Sequence, residues 1–200
     1  MNTEAIYIVS GLPRSGTSMA MALLQAGGVE LIADGVRKAD EDNLGGYFEY
    51  EAVKGIRNDV SWVYAARGKA VKVVSPSLRY LPQDLLYRVV FMRRDLNEMC
   101  ASQEQMLRRL GRESQIERNE MAQLMQRHLQ EVETWLAEST HMDVLYMDYR
   151  RVVEDSIEAC RALVDFLALS ADPEQMAGAV RASYYRQRSG ARSAEITKVI

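Results

Sequence analysis

Four short segments of the chain carry almost unbroken runs of apolar residues: AIYIVS (5–10), AVKVVS (70–75), RVVFM (88–92) and DVLYMD (143–148). Val, Ile, Tyr and Phe dominate them. Near-continuous apolar character suits strands covered on both faces, as in a parallel sheet. Between these runs the period lengthens to that of helices. Thr17 to Ala26 is apolar almost all round, as a buried first helix should be. Asn97 to Arg109 follows Asp95, a carboxylate placed to cap it, with Glu98 three residues on. Ile116, Met121, Leu124, His128, Leu129, Val132, Trp135 and Leu136 fall near a spacing of about 3.6 and predict a long helix over 113–138. Its Met and His positions read as core packing rather than as a cofactor site. Two further helices are expected at 154–168 and 173–182, the second with Asp172 as cap and Pro173 at its first position.

Strands alternating with helices predict an α/β fold of three layers, a parallel sheet flanked by helices with right-handed crossovers. The 200 residues read as a single domain. The stretch 27–60, which contains GGVELIADGVRKADEDNLGGYFEYE, is the least regular. It reads as a long loop with a short helix, an insertion serving the substrate site. The tail after Arg188 is expected to be poorly ordered.

Composition narrows the classes. Hydrophobic residues make up 48% and charged residues 26%, as in soluble globular proteins. A net charge of −3 argues against nucleic-acid binding through overall charge. Cys100 and Cys160 form no CxxC and lie far from His128 and His141, so neither a zinc site nor a disulfide framework is implied. The N-terminal apolar run is too short for a signal peptide, and no stretch approaches a membrane span. A cytoplasmic, reduced protein is expected.

The chemistry concentrates in GLPRSGTS (11–18), which follows the first strand and opens the first helix. The nucleotide-phosphate pattern is G-x-x-x-x-G-K-[ST]. Gly11, Gly16 and Ser18 fit it, but Thr17 stands where Lys belongs. A helix N-terminus at the C-terminal end of a parallel strand favours an anion. The two glycines permit close approach of an oxyanion, Thr17 and Ser18 add hydroxyls, and Arg14 supplies a cation that can grip two oxygens at once. The missing Lys weighs against an ATPase or GTPase, whose Lys reaches the β- and γ-phosphates. Asp148 ends a strand, but sits late and ahead of YRR, so it makes a poor metal-holding partner. In VVFMRRDLNEMCAS (89–102), Arg94 follows a strand and Ser102 lies about two turns into the next helix. Together they offer a guanidinium fork and a hydroxyl to one phosphate.

GLPRSGTS resembles the 5′-phosphosulfate loop of sulfotransferases, P-[KR]-S-G-T-[ST], with Arg14 at the cation position. VVFMRRDLNEMCAS resembles the family's 3′-phosphate segment, R-D-P-x-[DE]-x-x-x-S, with Leu96 in place of Pro. NLGGYFE (43–49) is similar to the N-P-x-G-[YF]-[FW]-E segment of some bacterial members, and SYYRQR (183–188) to their closing segment, where Arg186 or Arg188 would fold over the cofactor. The resemblance implies a P-loop NTPase-like fold of the sulfotransferase type. It implies 3′-phosphoadenosine 5′-phosphosulfate (PAPS) as donor, bound by Arg14, Ser15, Gly16, Thr17, Ser18, Arg94, Ser102 and Arg186, with no metal. The acceptor is then a hydroxyl or amine of a small molecule or glycan, attacking sulfur in line while Arg14 and the N–H groups of residues 15–18 stabilise the leaving phosphate. Many members use a His after the second strand as base. KVVSPSLRYLP contains none, and Ser77 stands near that place. Glu49 is the expected base, with Glu51 and Asp40 behind it; Lys72 reads as a strand-end residue. A P-loop small-molecule kinase and a non-catalytic nucleotide-binding module are the alternatives.

Overall fold

The computed structural model describes residues 5–36 and 46–180 and the backbone of 197–199. Its centre is a six-stranded sheet in the order β2-β3-β1-β4-β5-β6. The strands are β1 (Ile6–Gly11), β2 (Leu31–Ile32), β3 (Ala70–Lys72), β4 (Tyr87–Arg93), β5 (Met142–Asp148) and β6 (Thr197–Val199). The first five are parallel and β6 runs against β5. In register, Tyr7 lies between Ala70 and Arg88, and Val9 between Lys72 and Val90.

The apolar runs are continuous because both faces of the sheet are covered. Tyr7, Val9, Val90, Met92 and Leu145 face α1 (Thr17–Ala26), α5 (Ser156–Leu167) and α6 (Pro173–Ala177). Ile6, Ile8, Val71, Val73, Phe91 and Tyr146 face the opposite layer, which includes Leu78 and, from α3 (Arg118–Glu138), Val132 and Leu136. Phe91 is fully buried and meets Tyr146 edge-on with ring centres 5.6 Å apart. Truncating such a ring to Ala costs about 3–5 kcal/mol.

Several elements differ from expectation for local reasons. AVKVVS keeps only Ala70–Lys72 in the ladder. Val73 N–H still donates to Val9 O at 3.0 Å, but Pro76 has no N–H and the chain coils into a 3-10 helix at Ser75–Tyr80. Helix α2 (Leu96–Arg109) starts where predicted, with the Asp95 carboxylate accepting from Glu98 N–H. It stops because Gly111 turns left-handed at φ 65° and Arg112 N–H returns to Leu107 O, so α3 begins at Arg118 rather than near 113. The helix expected at 154–168 is two: α4 (Tyr149–Glu154), capped by Asp148, and α5, capped by Asp155. The extended φ of −137° at Asp155 separates them. Asp172 caps α6 as read, with Pro173 at its first position. Within 27–60, the chain forms the short edge strand β2 and a 3-10 helix at Glu51–Gly55. The tail after Arg188 lies outside the described residues, apart from β6. Cys100 and Cys160 are both free and buried. Among the described residues no helix is long and apolar enough to cross a membrane.

Candidate active site

Strand β1 delivers Gly11 to the C-terminal edge of the sheet, and the chain turns through residues 12–16 into α1. Two glycines in the turn are required by contact as well as by backbone angle. Gly11 has φ +140°, and a Cβ there would lie 2.5 Å from Ser15 Oγ and 2.6 Å from the Met92 carbonyl oxygen. Gly16 has φ +105°, and its Cβ would lie 2.3 Å from Cδ2 of Tyr149, the first residue of α4. Ser15 N–H closes the turn on Leu12 O at 3.1 Å, which removes that donor from the set expected for a ligand. Arg14 adopts the left-handed φ of 73° although it is not glycine, at a cost of about 1–2 kcal/mol.

The first N–H groups of α1 have no partner within the helix, and the helix dipole leaves its positive end there. Beside them the Ser15 hydroxyl is buried and, among the described residues, has no hydrogen-bond partner. A buried hydroxyl without a partner calls for one. An anionic oxygen seated on the loop would fill that need.

The second motif folds onto the first. Arg14 Nε donates to Ser102 Oγ at 2.9 Å. Arg94 Nη1 donates to the Arg14 carbonyl at 3.2 Å and Arg94 Nε to Glu98 Oε2 at 3.0 Å. The Arg94 guanidinium also lies 4.4 Å above the ring of Tyr149. The side chains of Arg94 and Glu98 are only 9% and 3% exposed, so the pair is essentially internal. Arg94 thus holds the strained Arg14 backbone in place, a duty the sequence did not reveal. Tyr149 was missed as well; it packs on the loop's second glycine and stacks under Arg94. Asp148 caps α4 by accepting from Arg151 N–H at 3.0 Å, and burial holds its carboxyl above the ordinary range.

A strap formed by residues 46–50 lies beside α1. Lys72, on the same face as Val9 and buried, donates from Nζ to the Tyr47 carbonyl, and the same ammonium stands 3.7 Å from Glu49 Oε1. Ser18 Oγ also donates to Tyr47 O, at 3.4 Å. Asp34 N–H donates to Glu49 O, and Glu51 N–H to Asp34 Oδ2. Phe48 packs toward the α1 face and Tyr50 toward the α3 face, where it meets Trp62 edge-on at 5.4 Å. The structure therefore brings Glu49 to Lys72, a residue read as a strand end. A lysine inside an apolar strand was the signal. Glu51 instead pairs with Lys54 at 2.7 Å on the surface. Asp40, Arg186 and Arg188 lie outside the described residues.

On the α3 side of the same edge, Ser75 Oγ and His128 Nε2 are 2.9 Å apart. Ser75 is buried and His128 half-buried. Burial pushes the His128 imidazole below its ordinary pKa, with Arg79 adding to the effect and Glu131 opposing it. His128 belongs to the stripe read as packing, yet it makes a polar contact.

Residues 6–199 match the family model described as Sulfotransferase domain. Among curated proteins, none matches the chain. Solved structures that share its fold include sulfotransferase STF9 from Mycobacterium avium, with 14% identity, 89% of this chain and 68% of that one covered, and a TM-score of 0.56. Mouse sulfotransferase SULT7A1 complexed with PAP shares 13% identity over 92% of this chain and 64% of its own, with a TM-score of 0.52. Retinol dehydratase in complex with androsterone and the inactive cofactor PAP shares 18% over 90% and 64%, with a TM-score of 0.51. The chain spans slightly less than two thirds of the length of the last two.

Proposed function

The chain belongs to the sulfotransferase family and has its P-loop NTPase-like fold; from that premise we propose that it transfers a sulfuryl group from PAPS to a hydroxyl or amine of a small molecule. The observation that carries this reading is the 2.9 Å contact from Arg14 Nε to Ser102 Oγ. It joins two phosphate-type motifs 88 residues apart at the open end of α1. Each motif alone is an ordinary strand-to-helix turn; together they supply donors for the two phosphate-bearing ends of one nucleotide.

In this reading Arg14, the Ser15 hydroxyl and the N–H groups of Gly16, Thr17 and Ser18 receive the 5′-phosphosulfate. Arg94 and Ser102 serve the 3′-phosphate, Arg94 while still holding the Arg14 carbonyl. Arg186 closes over the donor. The acceptor atom forms a bond to sulfur as the bond from sulfur to the bridging oxygen breaks, and the electron pair stays on the departing phosphate. Arg14 and the end of α1 stabilise the charge that develops there. A positioned donor of this kind contributes about 2.7–4 kcal/mol to the transition state. Lys72 and Glu49 hold the strap beside the sulfuryl end. A relative crystallised with androsterone and the Tyr50–Trp62 pair at the end of the strap favour an acceptor with an apolar ring.

Thermal shift tests the proposal. 3′,5′-Bisphosphoadenosine (PAP) without metal should stabilise the protein by about 2.7 kcal/mol at a hundredfold excess over Kd. For a chain of this size that is a rise of roughly 5–10 °C. A response to Mg-ATP with none to PAP would replace the reading with a kinase. Stabilisation by PAP with no transfer from labelled PAPS across phenols, sugars and amines would leave a binding module.

A further inference from the structure

Sulfuryl transfer to a neutral hydroxyl releases a proton, and the group that takes it must stand at the edge where the donor loop opens. Two observations place Ser75 and His128 there. Ser75 is three residues beyond Lys72, which is in register with Val9, and Gly11 opens the loop two residues beyond Val9. The 3-10 helix starting at Ser75 packs against β1. For His128, the marker is Arg93. It is the last residue of β4 and pairs with Glu133 of α3 at 2.8 Å. Helix α3 leads into the start of β5, so it runs opposite to the strands. His128 is five residues nearer its N-terminus, and so rises about 7 Å past the level of Glu133, beyond the strand ends.

We propose that the Ser75–His128 pair receives the acceptor's proton in sulfuryl transfer. The assignment rests on the donor reading above. The acceptor O–H gives its proton to Ser75 Oγ as oxygen bonds to sulfur; Ser75 passes its own proton to His128 Nε2; the electron pair of the broken sulfur–oxygen bond leaves with the bisphosphate. This uses His128 as the tautomer protonated on Nδ1. A neutral imidazole is what the step requires, and burial favours it, with Arg79 from the 3-10 helix adding to the effect and Glu131 from α3 itself opposing it. The Ser10 hydroxyl, on the same face as Ile6 and Ile8, is buried with no hydrogen-bond partner among the described residues. It is a further polar atom on this side of the edge. Glu49, by contrast, faces the ammonium of Lys72.

The experiment compares two probe acceptors, phenol and p-nitrophenol, with labelled PAPS. In mildly alkaline buffer p-nitrophenol is largely ionised and needs no base, whereas phenol stays neutral and does. His128→Gln should slow transfer to phenol about 10²-fold and transfer to p-nitrophenol less than about fivefold. Ser75→Ala should show the same selectivity, with a smaller loss. Equal losses for both phenols would make the pair structural and overturn the proposal. Selective loss in Glu49→Gln instead would overturn it in favour of the carboxylate. A second measurement needs no turnover. The chain has two His, so their imidazole resonances can be titrated separately in the full protein. Bound PAP should raise the pKa of His128, because a nearby anion favours imidazolium, and leave His141 unmoved at the opposite end of the strands. No change at His128 with PAP bound overturns the proposal. Failure of PAP to stabilise the protein at all overturns the donor reading, and this proposal with it.

Discussion

The two sides of the sheet's C-terminal edge are built differently. On the α1 side, the loop is held by groups that cannot be moved one at a time. Arg94 binds Glu98, the Arg14 carbonyl and the Tyr149 ring, and Tyr149 lies against Gly16. On the α3 side, the contacts fall into separate groups: a bond between Ser75 and His128, Arg93 held between Glu133 and the Tyr146 ring, and an aromatic pair at Tyr50 and Trp62. Buried polar groups that are linked to one another favour one geometry. Separable contacts let residues change without disturbing their neighbours. A donor with fixed phosphate spacing suits the first kind of construction, and an acceptor of open identity suits the second.

The sharpest way to break this contrast is Arg94→Ala. It takes the guanidinium away from the buried Glu98 carboxylate and should cost about 3–5 kcal/mol of stability, read from urea unfolding. A loss below about 1 kcal/mol would put the pair in the class of surface bridges and erase the difference between the two sides. Arg14→Ala should lose about 2–4 kcal/mol of transition-state stabilisation, read from kcat/KM, with the melting temperature little changed. Arg14→Gly should lose the same catalysis yet be more stable than Arg14→Ala by about 1 kcal/mol, because glycine accepts the left-handed angle freely. Lys72→Met removes the ammonium from the Tyr47 carbonyl and should cost about 1–3 kcal/mol. Hydrogen exchange should show the loss at residues 46–50 and not at the loop; a change spread over both would mean the strap and loop form one unit.

The smallest effect is a pH dependence. Burial holds the imidazoles of His128 and His141 below the ordinary 6.5. As pH falls through that value the unfolded chain binds protons that the folded imidazoles resist, so stability is lost toward acid. Replacing both His with Gln should flatten that part of the urea-midpoint profile between about pH 6.5 and the lower folded values.

The frame was legible because its signals are local. The apolar runs marked β1, β4 and β5, Asp95 and Asp172 announced their helices, and GLPRSGTS carried its loop in one piece. What escaped is the side-chain partnership of residues far apart in sequence. Nothing near Arg94 points to the Arg14 carbonyl, and nothing near Tyr149 points to Gly16. His128 was hidden by its own helix, since a histidine in an apolar stripe has the pattern of a packed residue until Ser75, 53 positions away, is placed against it. Lys72 was visible as an oddity in an apolar strand, but its use depends on where the strap returns.

The position of β1 has a consequence in time. It is synthesised before both of its neighbours, β3 and β4, and it ends up in the middle of the sheet, with Tyr7 between Ala70 and Arg88. At roughly 5–20 residues per second, several seconds of synthesis separate β1 from either neighbour. Throughout that interval a strand of six residues that the finished fold buries, IYIVSG, has no native partner on either edge. It is then a template for pairing with other chains. The strand that leads into the 11–18 loop is thus open to mispairing until β3 and β4 have been made.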